Sequence, residues 1–402
     1  MAGSVVTIGK DRILSVNGKP FFPIGARHIP AGATLALLKQ VGFNCFRWTA
    51  FGTDTALIPT AQLPTDLGGL MFYPYVFNKA DLSAEGETRR QQLTELIRMV
   101  REHPALLCYE QRNEPAYTAL VDHARPQSPP EGLIAGSRAI RELDPNHPIR
   151  IGHVNCNLVS TLRKYNEAVD IVGCNPYVVS PPRMRRIVGM RSDGLVVDSP
   201  NQTLSAVGDH TTKMMRVAEG RPVWMQLQGS ANENFYNEAH TPENRGQGPY
   251  EHHRLYPSRW EMRFMAFHVI IRGATAMEWF LHGLPVGSGP WTDMCRVIGE
   301  LNSLHDVLCA PAWSGAMETN YRELGFSDWT GVETLVKLHQ GRPWILAANT
   351  QFDPMEPTFS NLPEAFGETL EVFGENRRVP IRSGTFSDRF QPYEVHIYVP
   401  RS

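Results

Sequence analysis

The sequence predicts an α/β protein, a (β/α)8 barrel of the TIM type followed by a small antiparallel β-domain. Three observations carry this prediction: eight strand-like apolar runs before residue 282, helical periodicity between them, and a change to short β-rich runs after about residue 310. Alternation of strand and helix with this many strands favours a closed barrel, because doubly wound sheets usually use fewer strands.

The eight strand-like runs are bounded by residues that favour turns, mainly Gly, Pro, Asn and Asp. They span residues 21–26, 44–48, 69–76, 105–111, 148–153, 170–177, 222–228 and 274–281. Ahead of the first run, Asn17-Gly18 joins two apolar segments. This pair is typical of a tight hairpin turn, so we expect an N-terminal β-hairpin before the barrel.

Helical periodicity appears between the strand-like runs. Leu93, Leu96, Ile97 and Val100 keep the spacing of one helical face. The same spacing recurs at Trp260, Phe264, Phe267 and Ile271. This second helix is expected to begin with a capping box, since Ser258 is followed three residues later by Glu261.

The helical period does not continue beyond the eighth run. Stretches such as "TLVKLHQGRPWILAANT" and "EVHIYVP" are β-rich and are separated by Gly, Pro, Asn and Asp. We therefore expect residues 1–310 to form the barrel with its hairpin, and residues 311–402 to form a sandwich-like domain. The longest irregular stretch, 229–256, follows the seventh run and is expected to overhang the active face.

The charge composition argues against nucleic acid or an anionic membrane as a partner. The chain has 39 Lys+Arg and 41 Asp+Glu, a net charge of -2, without long runs of one sign. No apolar run approaches the ~20 residues that span a bilayer, and the opening "MAGSVVTIGKDR" lacks the apolar core of a signal peptide. A cytoplasmic protein is expected, or a periplasmic or secreted one from which a leader was removed.

The cysteines predict thiols and not disulfides. None of the six lies in a CxxC pair, and several fall within apolar runs, so we interpret them as reduced core residues, which favours a reducing compartment. They are Cys45, Cys108, Cys156, Cys174, Cys295 and Cys309. The sequence carries no signal for a particular oligomeric state.

Polar residues crowd the end of the fourth strand-like run, in "CYEQRNEPAY" at 108–117. Polar groups at the C-terminal end of a barrel strand lie where this architecture places its chemistry. Here the sequence resembles the clan A glycoside hydrolases, whose fourth strand ends in Asn-Glu-Pro, matched by Asn113, Glu114 and Pro115. The resemblance implies that Glu114 is the general acid/base and that the partner is an oligosaccharide or glycoside, without a cofactor.

Other strand ends are similar to the same family. "GFNCFRW" resembles its second strand, which implies that Arg47 holds the acid/base and groups near the substrate. "VDIVGCNPY" resembles the sixth strand, with Tyr177 at the tip, and "GATAMEWF" the eighth, which implies that Trp279 is a platform for a sugar ring. Aromatic faces suit the apolar faces of sugars.

The seventh strand departs from the family. The resemblance implies a Glu nucleophile near its end, but this sequence has Gln226, Leu227 and Gln228. Hydrolysis of a glycoside normally needs two carboxylates. We expect Glu278 to be the second one, facing Glu114 across a bound sugar, because an unpaired carboxylate in an apolar strand is costly and needs a partner or a function. Further candidates are Glu233, Glu238 and Asp293.

Structural interpretations compete with these catalytic ones. Glu278 could instead form a salt bridge at the barrel floor, for example with Arg272. Glu110 is interpreted as structural because it lies below the rim. Gln226 and Gln228, together with Arg47, Asn113 and Tyr177, are expected to bind hydroxyl groups or to orient the carboxylates.

Three histidines end predicted strands: His28, His153 and His282 follow strands one, five and eight. A three-histidine metal site is conceivable. Their strands are not all neighbours and the chain has no HxH or HExxH spacing, so we expect them to hydrogen-bond sugar hydroxyls and predict no metal.

The sequence thus predicts a glycoside hydrolase in which Glu114 is the proton donor and Glu278 the nucleophile or base. Two alternatives remain open. The missing carboxylate on strand seven would suit a pseudo-enzyme that binds carbohydrate without cleaving it. The histidines would suit a metal-dependent hydrolase or lyase.

Overall fold

The structure, a computed structural model, describes residues 3–49, 63, 66–83, 86–117, 126–179, 201–231, 255–320, 331–363 and 366–400, and the backbone of 191–192 and 195–196. Eight parallel strands form a barrel, which confirms the predicted fold class. In chain order, barrel strands one to eight are Ile24–Arg27, Cys45–Thr49, Met71–Tyr75, Tyr109–Glu110, Ile149–His153, Ile171–Cys174, Trp224–Gln228 and Ala276–Phe280. Each overlaps one of the eight predicted runs.

Neighbouring strands pair in the order seven, eight, one, two, three, four, five and six. A parallel bridge between Val172 and Val223 closes the ring between strands six and seven. Gly173 is required at this closure, because a Cβ there would overlap the carbonyl oxygen of Trp224. The closed ring brings the C-terminal ends of all eight strands to one rim.

Helices cover the outside of the barrel. They span Leu35–Val41, Gly86–Val100, Pro130–Leu143, Val159–Arg163, Ala206–Ala218, Arg259–Ile271, Gly289–Ser303 and His305–Cys309, with 3-10 turns at Phe77–Ala80 and Asn166–Ala168. The predicted capping box is confirmed, since Ser258 and Glu261 exchange their hydrogen bonds at the start of Arg259–Ile271. Trp260 is nevertheless 61% exposed, so it does not share the buried face predicted for it.

An N-terminal sheet covers the bottom of the barrel. Its three antiparallel strands are Val6–Ile8, Leu14–Val16 and Lys19–Phe21. The predicted hairpin turn is present, with Asn17 and Gly18 both at positive φ, +50° and +80°. Val6 and Leu14 pack with apolar residues of the barrel interior in one buried cluster. In the described part of the chain, the bottom of the barrel is therefore filled, which leaves the opposite rim as the side for a ligand.

The C-terminal part forms a separate antiparallel domain, as predicted. Glu318–Asn320, Thr358–Ser360 and Phe386–Ser387 make a three-stranded sheet. Val332–His339, Arg342–Asn349, Val395–Pro400, Thr369–Val372 and Arg377–Pro380 make a five-stranded sheet in that order. Phe359 and Phe386 of the smaller sheet share an apolar core with Ile345 and Ala347 of the larger one. This arrangement is a small sandwich.

The other face of the five-stranded sheet packs on the barrel. Leu346 and Ile397 belong to the core that lies between barrel strands and helices. Arg263 on helix Arg259–Ile271 binds Glu300 at 2.8 Å and donates to the carbonyl of Val395 at 2.5 Å. The interface therefore combines an apolar centre with a hydrogen bond from a buried barrel arginine to the backbone of the C-terminal domain.

None of the described helices has both the length and the apolar character needed to cross a bilayer. The six cysteines are unpaired, and all but Cys295 are buried.

Candidate active site

Glu114 lies just beyond the end of barrel strand four, at the rim. Its backbone is left-handed, with φ of +53°, and its N–H donates to the carbonyl of Gly152 on strand five at 2.7 Å. A non-glycine residue in this region is strained and persists only where its surroundings fix it. Its half-buried carboxylate accepts a hydrogen bond from the side chain of Asn175. The acidic group is thus held at the mouth in one orientation.

The ends of strands six and seven supply the neighbouring polar groups. Tyr177 follows strand six and accepts a hydrogen bond from the Gln226 side chain of strand seven. Burial raises the pKa of Tyr177, so the phenol keeps its proton, while Arg27 opposes this shift. Glu114 and Glu278 also act on the phenol electrostatically. Tyr177 therefore lies between the rim and the charged interior.

Two arginines share one carboxylate below the rim. Glu110, fully buried on strand four, lies 2.7 Å from Arg27 Nη1 and 2.7 Å from Arg47 Nε. The Arg47 guanidinium also lies over the ring of Tyr75, 3.6 Å from its centroid. The structural interpretation of Glu110 thus has a specific basis, since its carboxylate pairs with arginines from strands one and two.

Glu278 lies in the barrel interior and not at the rim. Its carboxylate accepts hydrogen bonds from Arg150 at 2.7 and 3.0 Å and from the Tyr73 hydroxyl at 2.5 Å, and Arg27 lies 3.4 Å away. The residue is fully buried. Burial opposes its ionisation, but Arg150 and Arg27 outweigh this effect and lower the pKa of Glu278. Both oxygens are occupied, so the expected position facing Glu114 across a sugar is not observed.

The partner proposed for a Glu278 salt bridge was also wrong. Arg272 binds Glu333 of the C-terminal domain and lies outside the barrel. The observed partner is Arg150, which the sequence did not single out.

Two predicted sugar-binding residues point away from the mouth. Trp279 is fully buried in the core between barrel strands and helices, so it cannot be a sugar platform. His153 is fully buried as well, with its ring 5.7 Å from that of Tyr165. Burial and, to a smaller extent, Lys213 lower the pKa of His153 to about 3. Successive strand residues alternate between faces, and these two occupy the outward face.

Gln228 is committed to the backbone. Its side-chain nitrogen donates to the carbonyls of Val179 and Ser230 at 2.7 and 3.1 Å, and its oxygen accepts from the Val179 N–H at 2.9 Å. The residue is fully buried. It fixes the end of strand seven to the segment after strand six, so its amide is not free to bind a hydroxyl group.

A cluster of aromatic rings lies at the end of strand eight. Phe280, the residue after Trp279, lies with its ring centroid 4.8 Å from that of His28, 6.0 Å from that of His282 and 5.6 Å from that of Tyr177. His28 is exposed and has a left-handed backbone, with φ of +54°. Partial desolvation and the charges of Arg27 and Arg47 lower its pKa to about 3, so this imidazole is neutral.

The three rim histidines do not converge on one point. His28 and His282 have ring centroids 5.7 Å apart, but His153 is on the outward face of its strand. Within the described ranges, no three His, Cys, Asp or Glu side chains are grouped so that they could hold a metal ion.

The remaining candidates lie in three different places. Asn113 lies beside Glu114, and its backbone N–H donates to the Tyr75 hydroxyl at 3.4 Å. Asp293 lies on the outer helix Gly289–Ser303, 3.6 Å from Arg296. Glu233 and Glu238 lie outside the described residues.

Sequence reasoning missed Arg27, Arg150 and Asn175. Periodicity carried a usable signal for each. Arg27 and Arg150 are charged residues within apolar strands, and Asn175 lies two residues before Tyr177, on the same face of an extended chain.

The fold is similar to those of solved glycoside hydrolases. A family 51 α-L-arabinofuranosidase from Bifidobacterium longum superposes with a TM-score of 0.55 and 12% identity, over 99% of this chain and 97% of that one. An α-amylase from Geobacillus thermoleovorans, complexed with acarbose, gives 0.53 and 9%, over 92% and 90%. A putative α-galactosidase from Bacteroides fragilis gives 0.53 and 12%, over 97% and 83%.

No family model and no curated protein matches the sequence itself. The structural likeness confirms the predicted TIM-barrel fold, which these glycoside hydrolases share.

Proposed function

We propose that the protein is a glycoside hydrolase and that Glu114 donates the proton to the leaving oxygen. One observation carries the proposal: a half-buried carboxylate is fixed at the rim in a strained backbone conformation, with Asn175 bound to it. Strain of this kind concentrates at functional sites. The glycosidase-like fold places catalytic groups at the same rim.

The mouth offers groups that suit a sugar. Tyr177, Gln226 and Asn113 present hydroxyl and amide groups for hydrogen bonds, and the ring of Phe280 lies beside them. Sugar sites combine a few oriented polar groups with an apolar face. The Asn175 amide orients the acid, since a carboxylate that accepts from Asn175 has a fixed second oxygen for proton transfer.

Glu278 has a structural role in this proposal. Its two oxygens hold Arg150, and any displacement would leave a buried guanidinium unpaired. Hydrolysis still requires a second acidic group that attacks or activates water. Glu233 and Glu238, in the segment after strand seven, are the candidates for that task.

The test is the Glu114→Gln variant, assayed on aryl glycosides and on oligosaccharides. Loss of general acid catalysis should lower turnover of an unactivated glycoside by about 100-fold or more. The deficit should be smaller for an aryl glycoside with a good leaving group, because that group needs little protonation. Glu142→Gln, at an exposed helix position, is the matched control. Equal turnover by Glu114→Gln and the wild type on oligosaccharides would refute the assignment.

A second candidate function is carbohydrate binding without cleavage. It is favoured by Gln226, a neutral amide on the strand where the resembled family has its nucleophile. Calorimetric binding of a sugar, together with no product from the same sugar after prolonged incubation, would support this function over hydrolysis.

A further inference from the structure

We propose that the sugar recognised at this site carries a carboxylate, as a uronic acid does, and that Arg47 with Arg27 binds it at the floor of the mouth. The inference rests on the proposed function for the location of the site. It adds the chemical class of the substrate.

The described barrel interior contains more positive than negative side chains. Among the described residues, the interior holds the guanidinium groups of Arg27, Arg47 and Arg150 but only the carboxylates of Glu110 and Glu278. One positive charge is therefore in excess in a region of low dielectric, where an uncompensated charge is costly. A bound anion would offset it.

The excess positive charge lies with two of the three arginines. Arg150 is only 1% exposed and binds Glu278 through both terminal nitrogens. Arg27 and Arg47 instead share Glu110, and Arg27 reaches Glu278 only at 3.4 Å. Arg47 retains 8% exposure. The surplus thus lies with Arg27 and Arg47, near the ends of strands one and two and directly below the rim.

Arg47 is oriented so that its terminal nitrogens can bind a carboxylate. It contacts Glu110 through Nε at 2.7 Å, so the two terminal nitrogens are not committed to that carboxylate. The Tyr75 ring, 3.6 Å from the guanidinium carbon, supports one face of the group and restricts its orientation. A planar guanidinium with two free N–H groups matches the two oxygens of a carboxylate.

Among the residues that the structure describes, Gln226 and Glu114 do not pair with Arg27 or Arg47. Gln226 is an uncharged amide bound to Tyr177, and the Glu114 side chain is bound to Asn175 at the rim. Burial and the charge of Arg27 lower the pKa of Arg47, as expected for a cation that lacks its own counterion. A carboxylate on the ligand would supply the compensating anion.

The test measures binding by calorimetry on Glu114→Gln protein, so that turnover does not interfere. The probes are the methyl glycosides of glucuronic, galacturonic and mannuronic acid, those of glucose, galactose and mannose, and methyl glucoside 6-sulfate. At least one uronide should bind about 10-fold or more tightly than its neutral parent, the increment of one charge-assisted bidentate pair. Arg47→Met in the same background should abolish this preference.

Arg138→Met is the matched control, since Arg138 is an exposed arginine paired with Glu167 on the barrel surface. It should leave the uronide preference unchanged. If Arg47→Met fails to fold, the salt dependence of the Glu114→Gln protein decides instead: added NaCl should weaken binding of the uronide and leave that of the neutral sugar unchanged.

Three results would overturn the inference: equal affinity for a uronide and its neutral parent, no binding of any uronide, or tighter binding of the sulfate ester than of all uronides. Failure of the hydrolase proposal has a different signature. Full turnover by Glu114→Gln would remove the assigned proton donor, while a uronide preference that depends on Arg47 would still stand.

Discussion

Replacing Glu278 by Gln should destabilise the barrel by about 3–5 kcal/mol, because it removes one partner of a buried ion pair. The structure supports the upper part of this range. The carboxylate is fully buried, binds Arg150 through two hydrogen bonds and Tyr73 through a third, and has Arg27 at 3.4 Å. Gln has nearly the same shape as Glu, so the loss of unfolding free energy would come from removal of the charge and not from a cavity.

The assay is urea-induced unfolding followed by barrel tryptophan fluorescence, for the wild type, Glu278→Gln and a double variant. Changing both Glu278 and Arg150 to Met removes the pair together, so it should cost less than the single charge removal. Glu167→Gln is the control, because its pair with Arg138 is exposed, with side chains 62% and 67% accessible. Such surface pairs contribute only about 0–1 kcal/mol.

The pH dependence follows from the lowered pKa of Glu278. A group whose pKa falls on folding contributes stability that is present above its unfolded value, about 4.3 for Glu, and is lost as the pH drops through the folded value. The penalty of Glu278→Gln should thus be constant between about pH 6 and 8. A variant that unfolds within about 1 kcal/mol of the wild type but has lost all turnover would refute the structural role and restore Glu278 as a nucleophile.

Two further predictions concern barrel closure and the C-terminal domain. Gly173→Ala should lower the free energy of unfolding by about 3 kcal/mol, because its Cβ would overlap the Trp224 carbonyl. Gly289→Ala is the control and should change that free energy by less than about 1 kcal/mol, because no atom lies near the new Cβ. Equal effects of the two variants in urea unfolding would contradict the prediction. Burial lowers the pKa of His396, but hydrogen bonds, first of all to Asp388, outweigh it and raise the pKa above its ordinary value. The contribution of His396 to the free energy of unfolding should be complete below about pH 6.5 and fall as the pH rises through the folded pKa. The difference in melting temperature between the wild type and His396→Gln should therefore shrink from about pH 6 to 9. A difference that stays constant over this range would contradict the prediction.

Glu278 illustrates which part of an ion pair the sequence reveals. An ionisable residue in an apolar strand indicates either a partner or a function. The sequence could not supply the partner, because Arg150 is 128 residues away and approaches only when the barrel closes. The same holds for Glu110, which joins Arg27 across 83 residues.

The sequence by itself determined the elements and their order. Strand runs, the Asn17-Gly18 turn and the Ser258–Glu261 cap were all recognisable, because backbone propensity and capping act over a few neighbouring residues. The position of Glu114 followed from the same local signals, since the end of a barrel strand is the rim.

Only the tertiary structure decided which way each strand residue points and what it meets. A shift of one residue moves a side chain to the opposite face of a strand. That difference puts Glu278 inside the barrel and Trp279 in the outer core, leaves Phe280 at the mouth, and removes His153 from the site. The sequence shows that strand residues alternate between two faces. The closed ring of strands decides which residues face inward, and it brings charges that are distant in sequence into contact.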